Sequence, residues 1–373
     1  SANGHFRWKK SLITSSSIQV YSALINGEEV ESVQLNVTTI LANNKPTYDI
    51  NVSVADSYNV ELAMLASINQ QRLRLASTQG KIAFLSQQWL LRQQPIITYE
   101  FDTQELIISE HCWVSYAASV CADVSSHNGS QQLNFKVSDI PIDYVLADVA
   151  QLDLQAKLSG DGVAQFDFNK LKSLSAQFEL DDTELNLDVN DKQAVVEFER
   201  VNMSLALLDD KLNTSLIAES LDFGDLALEL QVDDIFASKI LSGKLIIDTL
   251  QIDLLTLLLD EVSQVSGVIS GVSKITGELN KPLFDGQFKV INAAISSEQF
   301  PMTVHDFNSE LLIKGQQVEL TGKFKSGAGE GRLNGNINWQ DRFNYTLQLQ
   351  GEGFDFNDSK GLRFSYLPDL NFV

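Results

Sequence analysis

Histidine, cysteine, proline, cationic side chains and long apolar runs are all scarce in this chain, and each scarcity excludes something. The four histidines, His5, His111, His127 and His305, form no His-Glu-x-x-His pair, the arrangement a zinc hydrolase requires. There is no Gly-x-Ser-x-Gly elbow. Gly80-Lys81, Gly243-Lys244 and Gly322-Lys323 lack the following Ser or Thr and the upstream spacing of a phosphate-binding loop. The chain therefore reads as a non-enzyme without a cofactor. Lys and Arg number 27 against 49 Asp and Glu, a net charge of −22, so too few cations are present to neutralise a nucleic acid or to dock broadly on an anionic membrane. With only 6 prolines, strands are seldom interrupted. No apolar run approaches the ~18–20 residues that cross a bilayer as a helix. Arg7, Lys9 and Lys10 are followed by no apolar core, which excludes a signal peptide there. With no initiator Met, the sequence reads as a piece of something longer, any membrane anchor lying outside it.

What is present is alternation. The 373 residues suffice for two ordinary domains or one long repetitive one, and 44% apolar content is too high for a disordered acidic tail. After an irregular 1–30, the period of two begins at Val33, Leu35 and Val37. It returns at Leu133, Phe135 and Val137, at Leu185 and Leu187, at Leu226, Leu228 and Leu230, and at Leu311 and Ile313. Such a period puts apolar side chains on one face of a sheet and polar ones on the other. Glycines and acidic pairs such as Asp181-Asp182 punctuate it as turns. Gly327-x-Gly329-x-Gly331 has no helix after it and reads as a turn or bulge rather than a nucleotide loop. Two segments read as short helices, Ile142–Val149 and the Ile-Asp-led run within 251–260. Each precedes a glycine pair and a new strand series, which suggests a repeat of roughly a hundred residues, long for a stacked array. Three segments follow: 1–125, 126–262 and 263–373.

The two cysteines, Cys112 and Cys121, are nine apart. A catalytic dithiol does not suit that spacing. A metal site with His111 and His127 has suitable ligand types but no familiar pattern, and two free buried thiols are a further alternative. A structural disulfide, which needs an oxidising compartment, is the favoured reading.

One stretch carries a resemblance. In Gly277-x-Leu279 followed by Pro282-x-Phe284-x-Gly286, and then a glycine-rich return to Gly335, the chain resembles the repeated β-segment of TamB proteins, periplasmic members of the AsmA-like group in Gram-negative bacteria. Cys112-Trp113 with Cys121 is similar to a Cys-Trp…Cys element of the same family, which supports the disulfide and a periplasmic location. Tyr366–Leu370 resembles a late Ser-Pro-Asp-Leu element, with Tyr366-Leu367 in place of the Ser.

From composition alone, the apolar face is the dry core of a β-sandwich. The resemblance implies instead a mainly β, elongated, curled antiparallel sheet, a β-taco-like trough with a few short helices and a hydrophobic interior. It implies a periplasmic segment, held to the inner membrane by an anchor outside it, that carries phospholipid acyl chains between the inner and outer membranes alongside a TamA-like outer-membrane barrel. The inward residues would be Phe166, Phe168, Phe178, Leu187, Phe198, Leu207, Leu228, Phe288, Leu320, Phe324, Trp339 and Leu349. The alternative expectation is an assembly factor that holds unfolded outer-membrane strands at its sheet edges by β-augmentation.

Overall fold

A computed structural model describes the chain except residues 1, 9–11, 26–27, 43–44, 56–58, 85–86, 143–152, 168–169, 190–191, 259–263, 297–302, 341, 358–362, 367–368 and 373. It is mainly β, and every described strand pairing is antiparallel. The chain forms two compact units, residues 1–145 with 158–176, and residues 146–157 with 177–373.

The first unit opens with β1 (Ala2–Trp8), β2 (Leu12–Ile25), β3 (Glu28–Ala42), β4 (Lys45–Ala55), β5 (Asn59–Ile68) and β6 (Arg72–Phe84), each paired with the next. The irregular start expected from the sequence is therefore strand. Ser15-Ser16-Ser17 has weak strand preference of its own, but it lies opposite Thr38, Val37 and Asn36 of β3. A neighbouring strand decides such a segment more than intrinsic propensity does. Next, β6 is flanked by two short strands, β7 (Gln87–Gln93) and β8 (Ile96–Glu100), and both pair onward with β9 (Glu105–Ser115). Pro95, which has no N–H to donate, marks the break between them and accepts the Ser77 amide at 3.1 Å. The series continues with β10 (Ala118–His127) and β11 (Ser130–Pro141), then β12 (Asp153–Asp167) from Leu158 on and the first part of β13 (Lys170–Val189). Its core joins Trp89, Ala118 and Ile140 to Ile82, Trp113, Val120, Val137 and Leu158. β12 runs straight through Gly160 and Gly162, and a Cβ on Gly162 would stand 2.5 Å from Phe135 Cζ. The glycine is a recess for the ring rather than a turn. The helix expected over Ile142–Val149 lies almost wholly outside the described residues.

The second unit carries the rest of β13, where the acidic pair Asp181-Asp182 stands inside the strand instead of at a turn. Next come β14 (Lys192–Phe198), β15 (Arg200–Leu208), β16 (Lys211–Ser220), β17 (Gly224–Asp233) and β18 (Ile240–Gln251). A single helical turn, α1 (Leu255–Leu258), falls in the second segment read as helical. Beyond it are β19 (Gln264–Glu278), β20 (Lys281–Ser296), β21 (Val304–Gly315), β22 (Gln317–Ser326), β23 (Gly329–Asn338) and β24 (Asn344–Glu352), then a small hairpin of β25 (Phe354–Asn357) and β26 (Arg363–Tyr366). β27 (Asp369–Phe372) returns to β24. From β15 to β24 each strand is hydrogen-bonded to the next. Cross-strand ion pairs such as Arg200–Glu219 and Lys211–Asp233 sit half-exposed along it and add little to stability.

Candidate apolar face

The register of the second unit brings one row of side chains into line. Val201, Ala218, Leu226, Ile247, Gly271, Phe288, Leu311, Leu320, Gly335 and Leu347 are successive cross-strand partners over ten strands. Every position in that row is apolar or glycine. A parallel row runs Met203, Leu216, Leu228, Leu245, Ser273, Gly286, Ile313, Val318 and Ile337, with Ser273 its one polar member. Opposite partners have Cβ atoms about 4.5–5.5 Å apart, so the rows form a continuous apolar surface.

Of the residues expected to line it, Leu207, Leu228, Phe288, Leu320, Phe324 and Leu349 do share this face in the second unit. Phe198 and Leu187 lie on the matching face of the β13–β14 hairpin, where Thr183 pairs with Phe198 and Leu187 with Ala194. Phe178 is half-buried in β13. Trp339 stands one residue past β23, its amide bonded to the Gln316 carbonyl at 3.1 Å. Phe166 belongs to the first unit, half-buried in β12 and two residues on from the buried Ala164. Phe168 is outside the described residues. Leu207, Phe288 and Phe324 are only 5%, 5% and 3% exposed, so they are packed into the wall. Leu228, Leu320 and Leu349 are half-buried and present surface, as do Leu311, which the sequence marked only by its alternation, and Leu216 and Leu245, which it did not single out.

How the large rings are sunk into the wall is visible at the glycines. A Cβ on Gly331 would be 2.3 Å from Phe324 Cζ and on Gly322 it would be 2.5 Å from Phe307 Cε2, while on Gly271 it would meet the Gln287 carbonyl oxygen at 2.4 Å as well as Phe288 Cδ1 at 2.5 Å. In the first unit Gly80 receives Trp113 and Leu91 in the same way. Each ring lies over a neighbouring strand in space that only a glycine leaves open. At the Phe324 end, Val304, Phe307, Leu333 and Leu349 complete the packing.

The other face of the second unit is mixed rather than purely charged. Ile217, Ala227, Ile246 and Val272 are successive partners there, flanked by Asn202 and Gln287. A concavity of about 1060 Å³ on that side is lined by Lys323, Lys325 and Arg332 with Asp306, Glu330 and Glu352, in balanced charge. Lys325 donates a hydrogen bond to Asp306 at 3.1 Å, and that bond and the lysine's charge hold the Asp306 carboxyl below the usual carboxylate range. Among the described residues no cluster of three or more His, Cys, Asp or Glu has a geometry for a metal ion. Cys112 and Cys121, direct partners in β9 and β10, are joined by a disulfide with Cα atoms 4.0 Å apart. They alternate with Trp113 and Val120, so the disulfide staples the side of the sheet opposite the core.

A mainly β succession of hairpins, with an apolar face along the second unit, is the class this architecture defines. The family model described as the TamB N-terminal domain matches residues 1–290, and the chain belongs to that family. The match takes in Cys112, Cys121 and the Gly277–Gly286 element; Gly335 and Tyr366–Leu370 lie beyond it. The translocation and assembly module subunit TamB of Haemophilus influenzae is 23% identical over 266 residues, which cover 70% of this chain and 20% of that protein. The chain thus spans about a fifth of that relative's length. No solved structure matches it.

Proposed function

We propose that this chain is a periplasmic segment of a TamB-like bridge whose apolar face carries phospholipid acyl chains between the inner and outer membranes, with a TamA-like barrel at the outer membrane and an inner-membrane anchor elsewhere in the protein. The observation that carries the proposal is the ten-strand row from Val201 to Leu347, which has no polar member. An acyl chain needs a continuous apolar lining and no specific polar partner. Each methylene it buries is worth ~0.8 kcal/mol, so a lining of uniform chemistry holds the chain while letting it slide between nearly equal positions. Because the rings lie in glycine recesses, the lining presents leucine and isoleucine edges instead of projecting aromatics. The chemistry is that of a conduit.

Photocrosslinking tests the reading. In cells, a photoreactive side chain at Leu320 is expected to capture phospholipid, and one at Glu319, on the opposite face, to capture none. Capture of nascent barrel strands at edge positions, with no lipid from Leu320, would favour the assembly-factor role and sink the conduit.

A further inference from the structure

We infer that the concavity on the charged side of β20–β24 binds a phosphate ester that also carries an ammonium group. The inference goes beyond the acyl-chain reading and does not depend on it. Lys323 and Arg332 are direct cross-strand partners in β22 and β23, flanked in the same row by the neutral Asn308 and Gln350. Like charges placed directly opposite each other are destabilising, and an anion held between them removes that repulsion. Lys244 and Lys274 are opposed in the same way, but each has an acid, Glu229 or Asp285, as its other partner. Lys323 and Arg332 have no acid in their row. One row nearer the β22–β23 turn the sign reverses, and Glu330 is the direct partner of Glu352. Glu330 also stands opposite Lys325, but that lysine is drawn to Asp306, its Nζ 3.1 Å from the carboxylate. Among the described residues, none of Lys323, Arg332, Glu330 and Glu352 forms an ion pair. An open pair of cations therefore lies beside an open pair of acids.

The backbone around these pairs is irregular in a specific way. The β20–β21 ladder shifts register at Val290/Ala293 and again at Ala293/Ile295, and the β21–β22 ladder shifts at His305/Asn308. Bulges of this kind bend a strand and re-aim its side chains. Asn292 and Asp306 have positive φ there. Asn308 fixes the result, its side-chain amide donating to the Asp306 carbonyl at 2.8 Å and its side-chain oxygen accepting the Asn292 amide at 3.1 Å. The space formed is about 1060 Å³. In it, Arg332 offers a fork of donors to two phosphate oxygens, and Lys323 adds a compact charge on a flexible stem. Glu330 and Glu352 accept from an ammonium. The two rows are two residues apart along each strand, ~7 Å, and the long side chains close that to the span of a phosphate and an ammonium joined by two carbons. A plain phosphate ion suits the site less well, because Asp306, Glu330 and Glu352 line the same space. This chemistry has two sources, a lipid head group and a water-soluble phosphate ester. A phospholipid with its acyl chains on the apolar face reaches the site by passing its head group over the β22–β23 turn, Ser326-Gly327-Ala328-Gly329, where no side chain is larger than that of serine.

Titration of the full chain with sn-glycero-3-phosphoethanolamine, followed by amide NMR, tests the site. Saturable shifts are expected at residues 323–325, 330–332 and 350–352. Lys323→Met combined with Arg332→Met should weaken binding at least tenfold. Glu330→Gln combined with Glu352→Gln should weaken it at least threefold, yet tighten the binding of inorganic phosphate. Lys289→Met, which removes an exposed cation of the same face that is paired with Glu310, should change neither. Absence of localised shifts, or a glutamate double variant that moves both probes in the same direction, overturns the proposal. A second arm reads the source of the ester, by uptake from vesicles of phosphatidylethanolamine and phosphatidylglycerol in equal parts. A lipid source predicts that Lys323→Met with Arg332→Met lowers the ratio of phosphatidylethanolamine to phosphatidylglycerol taken up at least threefold. An unchanged ratio, with the soluble ester still bound by the unsubstituted chain, assigns the site to a water-soluble ester. A chain that takes up no lipid at all refutes the acyl-chain reading, while the soluble titration still decides the site.

Discussion

Gly331→Ala should destabilise the second unit even though nothing in the backbone forbids it. Gly331 has an ordinary negative φ, so alanine there would by itself gain ~0.4–1 kcal/mol by restricting the unfolded chain. The added Cβ, however, would stand 2.3, 2.6 and 2.8 Å from Cζ, Cε1 and Cε2 of Phe324, where carbon pairs normally rest at about 3.5–4.0 Å. The ring must therefore move by more than ~1 Å. It is 3% exposed and enclosed by Val304, Phe307, Leu333 and Leu349, so it can move only by lifting off the wall. Overpacking of that kind costs about 1–3 kcal/mol. Phe324→Leu removes the clashing atoms and leaves a small cavity, costing on the order of 1 kcal/mol. The double variant should then be more stable than the sum of the single losses by about 1–2 kcal/mol, within the range for touching residues. Urea unfolding of the four proteins measures the cycle. Gly315→Ala serves as a contrast, since Gly315 has φ 63° with nothing within 4 Å of an added Cβ. It should lose about 1–2 kcal/mol from backbone strain with no coupling to Phe324. A neutral Gly331→Ala, or a loss that Phe324→Leu does not relieve, refutes the idea that these glycines seat the rings.

Other consequences follow from the same structure. Replacing both Cys112 and Cys121 with Ser should lower stability by up to about 2–3 kcal/mol, as expected for a loop of about ten residues; thermal melting with and without reductant checks this, and a total loss of fold would contradict it, because β9 and β10 remain paired along their length. The depressed carboxyl of Asp306 depends on Lys325, so Lys325→Met should move its titration by NMR up toward the ordinary carboxylate value. The sign is that of a lowered pKa: the pair's contribution is present above the unfolded value and disappears as pH falls through the folded one. Leu245→Asp, at a half-buried position on the apolar face, should reduce lipid loading with the fold retained by circular dichroism, whereas Lys244→Asp on the other face should leave loading unchanged.

Much of the fold was legible as alternation. Leu226, Leu228 and Leu230 announce β17 because a period of two has one structural meaning, and Leu228, Phe288 and Leu320 fall on one face because antiparallel partners keep their parity across the ladder. What the pattern hid is equally specific. Ser15-Ser16-Ser17 is strand because β3 lies beside it. Gly162 and Gly331 read as turns, although their lack of a side chain serves a ring on the next strand. Asp182 reads as a turn and is a positive-φ residue inside β13. The contact between Lys192 and α1 spans 64 residues, and no local periodicity encodes which distant carbonyl a lysine will meet. Phe288 and Phe324 were expected to present surface on the apolar face and are buried in it, since a large apolar residue looks the same in sequence whether it faces a neighbour or open space.

The pairing of each strand with its immediate successors also constrains how such a chain can change in length. One residue inserted near Leu320 would turn the remainder of β22 inside out, exchanging Leu320 and Phe324 for Glu319 and Lys323. Two residues would preserve sidedness but push every partner out of step. Only a complete out-and-back excursion leaves the existing partners as they were, so evolutionary growth or shrinkage of this chain should come in whole hairpins and leave the chemistry of its neighbours untouched.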